Sequence, residues 1–139
     1  MTAVREPRAA MGTDGRRAPA QCTTAVARGQ SYEAEARRYL EARGLEWIAS
    51  NHRCRFGEID LIMREGQVLA FIEVRFRRSQ RFGGAGASVD ARKQRRLIMA
   101  ARHYLSRHPT DSACRFDVVA INGEEQFQWI KGAFDASEQ

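Results

Sequence analysis

The stretch Gly57-Glu58-Ile59-Asp60-Leu61-Ile62-Met63-Arg64-Glu65-Gly66-Gln67-Val68-Leu69-Ala70-Phe71-Ile72-Glu73-Val74-Arg75 decides the fold. Two runs rich in Ile, Leu, Val and Phe flank a short polar connection, the pattern of an antiparallel hairpin. A turn at Glu65-Gly66 sets Arg64 opposite Gln67, Asp60 opposite Phe71 and Glu58 opposite Glu73. Because side chains alternate across a strand, one face is expected to carry Ile59, Leu61, Met63, Val68, Ala70, Ile72 and Val74. The other carries Glu58, Asp60, Glu73 and Arg75, with Ile62, Leu69 and Phe71 nearer the turn. That second face is expected to be covered near the turn and open toward the acids. Asp60 and Glu73 become diagonal neighbours, with Cβ atoms roughly 7 Å apart or less, so both carboxylates can reach one ion. Charge on a solvated strand face is the plainer explanation. A divalent cation is the sharper one, since Mg²⁺ is typically held by one or two carboxylates plus substrate phosphates.

These residues resemble the GEIDLI and FVEVK segments of the YraN-like proteins, an uncharacterised bacterial family. That family is similar to archaeal Holliday junction resolvases and, more remotely, to the PD-(D/E)XK nucleases. The resemblance covers nearly all of residues 29–131. It implies a restriction endonuclease-like fold and an acidic residue followed by Glu-x-Lys on the next strand, holding Mg²⁺ or Mn²⁺ for phosphodiester hydrolysis. Asp60 matches the first acid and Glu73 the second, with Glu58 beside them. Arg75 stands where the motif has Lys. Glu33 matches a Glu in the family's first helix, and Lys93 matches a Lys in its second. The resemblance thus assigns Asp60, Glu73, Arg75 and Lys93 to catalysis and Asp60, Glu73, Glu58 and Glu33 to the metal.

At 139 residues the chain suits a single domain with a real core. No apolar run approaches the roughly 20 residues of a membrane span, so a soluble, cytoplasmic protein is expected. Cys22, Cys54 and Cys114 lie far apart. Their spacing argues against a zinc site and a disulfide framework and fits a reducing cytosol.

The net charge is +6, and its distribution says more than its size. Between Arg75 and Arg107 nine arginines and Lys93 face Asp90 alone. A basic block beside an acidic hairpin suits a polyanionic partner, and the resemblance implies that this partner is nucleic acid, DNA. Arg53, Arg77, Arg78, Arg81, Arg92, Arg95 and Arg96 are the expected phosphate contacts. A two-fold homodimer would suit a cut on two arms of a junction, although no stretch specifies an interface.

Residues 1–28, with small residues, Gly, Pro and Arg, read as a flexible basic arm; residues 29–131 read as the nuclease-like domain and 132–139 as a frayed tail. A helix is expected from Ser31, as cap, to Arg43, and a strand over Trp47–Arg53. The loop from Phe76 to Ala87 lacks the spacing of a nucleotide-binding loop. A second helix runs from Asp90 to His108, capped by Ser88 or Asp90, with Leu97, Ile98, Ala101, Tyr104 and Leu105 buried. Strands follow at Arg115–Ile121 and Gln126–Lys131. Asp117 reads as a polar strand-end residue, His52 as a lone imidazole, and His103 and His108 as without a role. The order αβββαββ describes an open mixed sheet flanked by helices. Two functions follow: a Mg²⁺-dependent endonuclease for branched or structured DNA, or a DNA-binding protein whose nuclease site is impaired by Arg75.

Overall fold

A computed structural model describes residues 25–77, 89–124 and 126–136. Arg78 and Arg81, and the arm up to residue 24, lie outside the described residues. The chain divides into Met1–Ser31 and Tyr32–Gln139; of the first unit only helical residues 25–31 are described, and the site below belongs to the second.

The elements are α1 (Ala25–Glu41), β1 (Glu46–Cys54), β2 (Gly57–Glu65), β3 (Val68–Arg77), α2 (Ala91–Arg107), β4 (Ala113–Asn122) and β5 (Phe127–Phe134). The order is the expected αβββαββ. The five strands form one sheet in sequence order, antiparallel except where β3 and β4 run parallel. A parallel pair needs a crossover, and α2 lies in it. This is the open mixed α/β architecture of restriction endonuclease-like proteins.

Both sheet faces are covered. On one side Ala36 and Leu40 of α1 pack with Leu61, Met63, Ala70, Ile72, Val119 and Ile121. On the other, Leu97, Ile98, Ala101 and Tyr104 of α2 pack with Ile59, Ile62, Leu69, Phe71, Phe116 and Val118. A strand buried on both faces reads as a continuous apolar run, which is why Val118-Val119-Ala120-Ile121 does not alternate.

The hairpin turns one residue later than expected. Glu65 pairs with Val68, so Gly66 and Gln67 form the turn. Gly66 has φ 60, a left-handed conformation that glycine adopts at no steric cost. Each residue's partner consequently moves by two, which preserves its face, and the ladder ends at Leu61 with Ile72.

Ile59 departs from the expected face. It packs with Ile62 under α2, whereas Leu61 and Met63 pack under α1. Alternation therefore slips at Asp60. On the facing strand Asn51 has φ 54, and neither residue appears in the β1–β2 ladder, which pairs Ser50 with Leu61 and His52 with Ile59.

Two boundaries differ from expectation, and one cap is as expected. The first helix begins at Ala25, not Ser31, because residues 25–30 contain no proline and Gly29 alone does not stop a helix. The second helix is capped by Asp90, whose Oδ1 accepts the Lys93 N–H at 2.8 Å. Residues 132–134 are not a frayed tail. Gly132, at φ 61, donates its N–H to Asp117 at 3.0 Å, and Phe134 stacks on Phe116 with centroids 4.7 Å apart.

Asp117 is likewise not a strand-end residue. It is 1% exposed and accepts hydrogen bonds from the Arg115 guanidinium, the Trp129 indole and Gly132. A fully partnered buried carboxylate of this kind holds β4 to β5. Among the described residues, no helix is long and apolar enough to cross a membrane.

Candidate functional site

The slip at Asp60 creates the site. Where the β2–β3 ladder ends, the Asp60 carboxylate takes the place of a backbone acceptor, and its Oδ2 receives the Val74 N–H at 2.8 Å. A short carboxylate acceptor on a fixed backbone donor locks the side chain. Asp60 thus sits between strands, within reach of both faces of the sheet.

From the α1 side comes Glu33. Carboxylate oxygens of Glu33, Glu58 and Asp60 lie within 4.8 Å of one another. Glu33 lies close enough to Asp60 and Asn51 for both to act on its carboxyl group, so the left-handed Asn51 stands beside the acids. Its Oε1 is buried without a hydrogen-bond partner. An unpartnered buried oxygen costs free energy on the order of 1–3 kcal/mol. A bound cation is one way to remove that cost.

From the α2 side comes Glu73, close enough to Asp60 to feel its charge. Its side chain is 12% exposed and its Oε2 lies 3.6 Å from the Lys93 Nζ. Four acids therefore converge: three share oxygens within the 4.8 Å cluster, and the fourth joins through Asp60. The cluster joins Glu33, Glu58 and Asp60; Glu73 stands beside Asp60 but outside that cluster, and Lys93 approaches Glu73 from the helix.

Crowding and burial leave a titration signature. Burial, then the Asp60 charge, pushes Glu33 up to about 8. Burial, then Asp60 again, pushes Glu73 up to about 7, with Lys93 and Arg75 pulling it back. Burial also raises Asp60, opposed by the Val74 N–H. Crowding and burial thus favour the protonated forms of Glu33 and Glu73 beside Asp60. Like charges that cannot all ionise share protons, and such shifts concentrate at functional sites.

The remaining sequence candidates fall into three groups. Arg75 lies close enough to influence Glu73 electrostatically. Arg92, Arg95 and Arg96 are exposed on α2, and Arg53 is exposed on β1, where it pairs with Glu58 at 3.2 Å. Arg77 is the last residue of β3.

Sequence reasoning missed Asn51 as a partner of Glu33; a left-handed conformation was its only distinguishing feature, and asparagine tolerates one better than most. It also read His52 as lone. His52 Nε2 lies 3.2 Å from His103 Nδ1, across 51 residues of sequence, a separation no spacing rule detects.

Residues 32–121 match the model of the uncharacterised protein family UPF0102. Over 112 residues the chain is 53% identical to the UPF0102 protein NE0719 of Nitrosomonas europaea, covering 79% of this chain and 95% of that one. It is 54% identical over 120 residues to the UPF0102 protein YraN of Escherichia coli O1:K1, covering 84% and 90% respectively. With a UPF0102 protein of Aeromonas hydrophila the identity is 49% over 114 residues, covering 80% and 87%. The expected resemblance to YraN-like proteins is borne out.

Proposed function

This chain belongs to the UPF0102 family, and we propose that it is a divalent-metal-dependent endonuclease hydrolysing phosphodiester bonds in branched or otherwise structured DNA. The observation that carries the reading is the convergence of Glu33, Glu58 and Asp60 oxygens within 4.8 Å, with Glu73 joined through Asp60. Acids held together at the expense of protonation are poised for a cation, because a divalent charge reverses the repulsion that raises them. Asp60, Glu73, Glu58 and Glu33 would hold Mg²⁺ or Mn²⁺, with the partnerless Glu33 Oε1 supporting the fit. When bound, the ion supplies a Lewis acid for the phosphate and lowers the pKa of a water.

The protein's own groups do the rest. The Val74 N–H fixes Asp60, so the central ligand needs no reorganisation. Arg75 offers a permanent cation for charge developing on the phosphate, but a guanidinium does not exchange protons in proteins. Lys93, near Glu73, supplies an ammonium on a flexible stem and is the residue we assign to proton exchange in place of the motif's Lys. Exposed Arg92, Arg95 and Arg96 on α2 supply phosphate attraction along the approach.

A second reading, a DNA-binding protein that no longer cuts, is favoured by Arg75 at the Lys position and by Lys93 partly neutralising Glu73 without any metal. Incubation with linear, forked and four-way DNA in Mg²⁺ or Mn²⁺ separates the two. Cleavage present in the wild type and abolished in Asp60→Ala supports the enzyme. Salt-sensitive binding equal in both proteins, with no cleavage by either, supports the binder.

A further inference from the structure

A second cluster of metal-ligating groups lies outside the acidic site. His52 and Cys54, two apart on β1, project to the same side of the strand, and His103 reaches them from α2. One ligand atom from each lies within 4.8 Å of the other two, and all three residues are half-buried. None of them belongs to the acidic cluster described above.

The donor set is chemically selective. Two imidazoles and a thiol are soft-to-borderline ligands that suit zinc, whereas carboxylates suit Mg²⁺ or Mn²⁺. Zinc takes imidazole nitrogen at about 2.0–2.1 Å and thiolate sulfur at about 2.3 Å in tetrahedral geometry. Two nitrogens on one such ion stand about 3.3 Å apart. His52 Nε2 and His103 Nδ1 are separated by 3.2 Å, so the spacing already suits one ion and the rings need only rotate to aim both lone pairs at it. Cys54 Sγ points at the Gly57 carbonyl at 3.6 Å, a weak interaction that a metal readily replaces.

The imidazoles are also oriented by their surroundings. His52 meets the Tyr104 ring edge-on, with centroids 5.3 Å apart. His103 accepts at Nε2 from the Arg107 guanidinium at 3.4 Å. Metal on Nδ1 places the proton on Nε2, so Arg107, which is exposed, must swing into solvent. The nearby guanidinium opposes a dication, and the thiolate charge offsets it. The spacing of the cysteines gave no hint of this site, because its third ligand comes from a different element.

We propose that His52, Cys54 and His103 bind one Zn²⁺, with a fourth position open to solvent, tying strand β1 to helix α2. Binding deprotonates Cys54, and the proton passes to the buffer, so affinity rises with pH. The ion would brace the helix that carries Lys93 from the side opposite its cap.

The test uses the full chain freed of metal with a chelator, then titrated with Co²⁺ and, in competition with a chromophoric chelator, with Zn²⁺. Expected are one zinc per chain, a thiolate-to-cobalt charge-transfer band, and a higher thermal midpoint with zinc. Cys54→Ser and His103→Asn are expected to lose the band and at least about tenfold in zinc affinity, while Asp60→Asn keeps both. Circular dichroism confirms that each variant is folded, and a variant that fails this check is replaced by Cys54→Ala or His103→Gln. A chain showing no thiolate band, or one whose band persists in folded Cys54→Ser or His103→Asn, overturns the proposal. It then leaves His52 and His103 as a hydrogen-bonded pair.

Discussion

Asp60 shows how much one side chain can organise. It accepts the Val74 N–H at 2.8 Å, lies close enough to Glu33 and Glu73 to raise both, and interrupts the strand pairing around itself. Its charge helps hold both neighbours in their protonated forms. Asp60→Asn keeps an acceptor for Val74 and removes that charge, so the metal-free protein is expected to melt at a higher temperature near pH 8 than the wild type. Cleavage should fall at least about 100-fold in the same variant, as expected when an essential electrostatic group is lost. Thermal denaturation and a cleavage time course check the two halves separately. For Lys93→Ala, loss of a proton-exchanging group predicts a cleavage rate lower by about 100-fold. An unchanged rate removes Lys93 from the site. The sequence made Asp60, Glu73 and Lys93 legible through the resemblance and the hairpin's alternation. It hid Asn51 and the Ile59 reversal, because both arise from a local slip that periodicity alone does not encode.

At the scale of elements, the hairpin and α2 do most of the positioning. Apart from Ile59, the hairpin faces were readable because successive side chains point to opposite sides of a strand, which puts Leu61, Met63, Ala70 and Ile72 on one face and Ile62, Leu69 and Phe71 on the other. Its register was not, since Glu65-Gly66 and Gly66-Gln67 are both two-residue turns with a glycine, and the two choices leave every side chain on the same face. The actual turn puts the left-handed residue, Gly66, first, as a type II′ turn requires. For α2 the cap was one of two expected residues, and the coordinates choose Asp90. Its bond to the Lys93 N–H couples the helix start to a site residue. Asp90→Ala is expected to cost about 1 kcal/mol of stability, read from urea unfolding, with no change in the buried stripe of Leu97, Ile98 and Ala101. The end of β5 was misread for a reason that generalises: Gly132 signals a stop in a linear reading, yet here it makes a left-handed bend whose N–H satisfies the buried Asp117.

For the whole molecule, the acids tie stability to pH in an unusual direction. A carboxyl whose folded pKa lies above its unfolded value binds more protons in the folded state, so stability falls as pH rises between the two. Glu33, near 8, and Glu73, near 7, both start from 4.5. The metal-free protein should therefore lose stability from roughly pH 5 to pH 8, and a cation in the site should remove most of that loss. Melting curves across this range with and without Mg²⁺ provide the check. The overall architecture was legible because two helices and five strands each carry their own pattern. The pairing of His52 with His103 was not, because it exists only once β1 and α2 are packed. The claim on which the function rests is that these acids hold a hard divalent ion. Mn²⁺ titration followed by electron paramagnetic resonance tests it most directly. The account predicts binding that strengthens as pH rises through about 7–8 and weakens at least about tenfold in Asp60→Asn. Equal Mn²⁺ uptake by wild type and variant at every pH would contradict it.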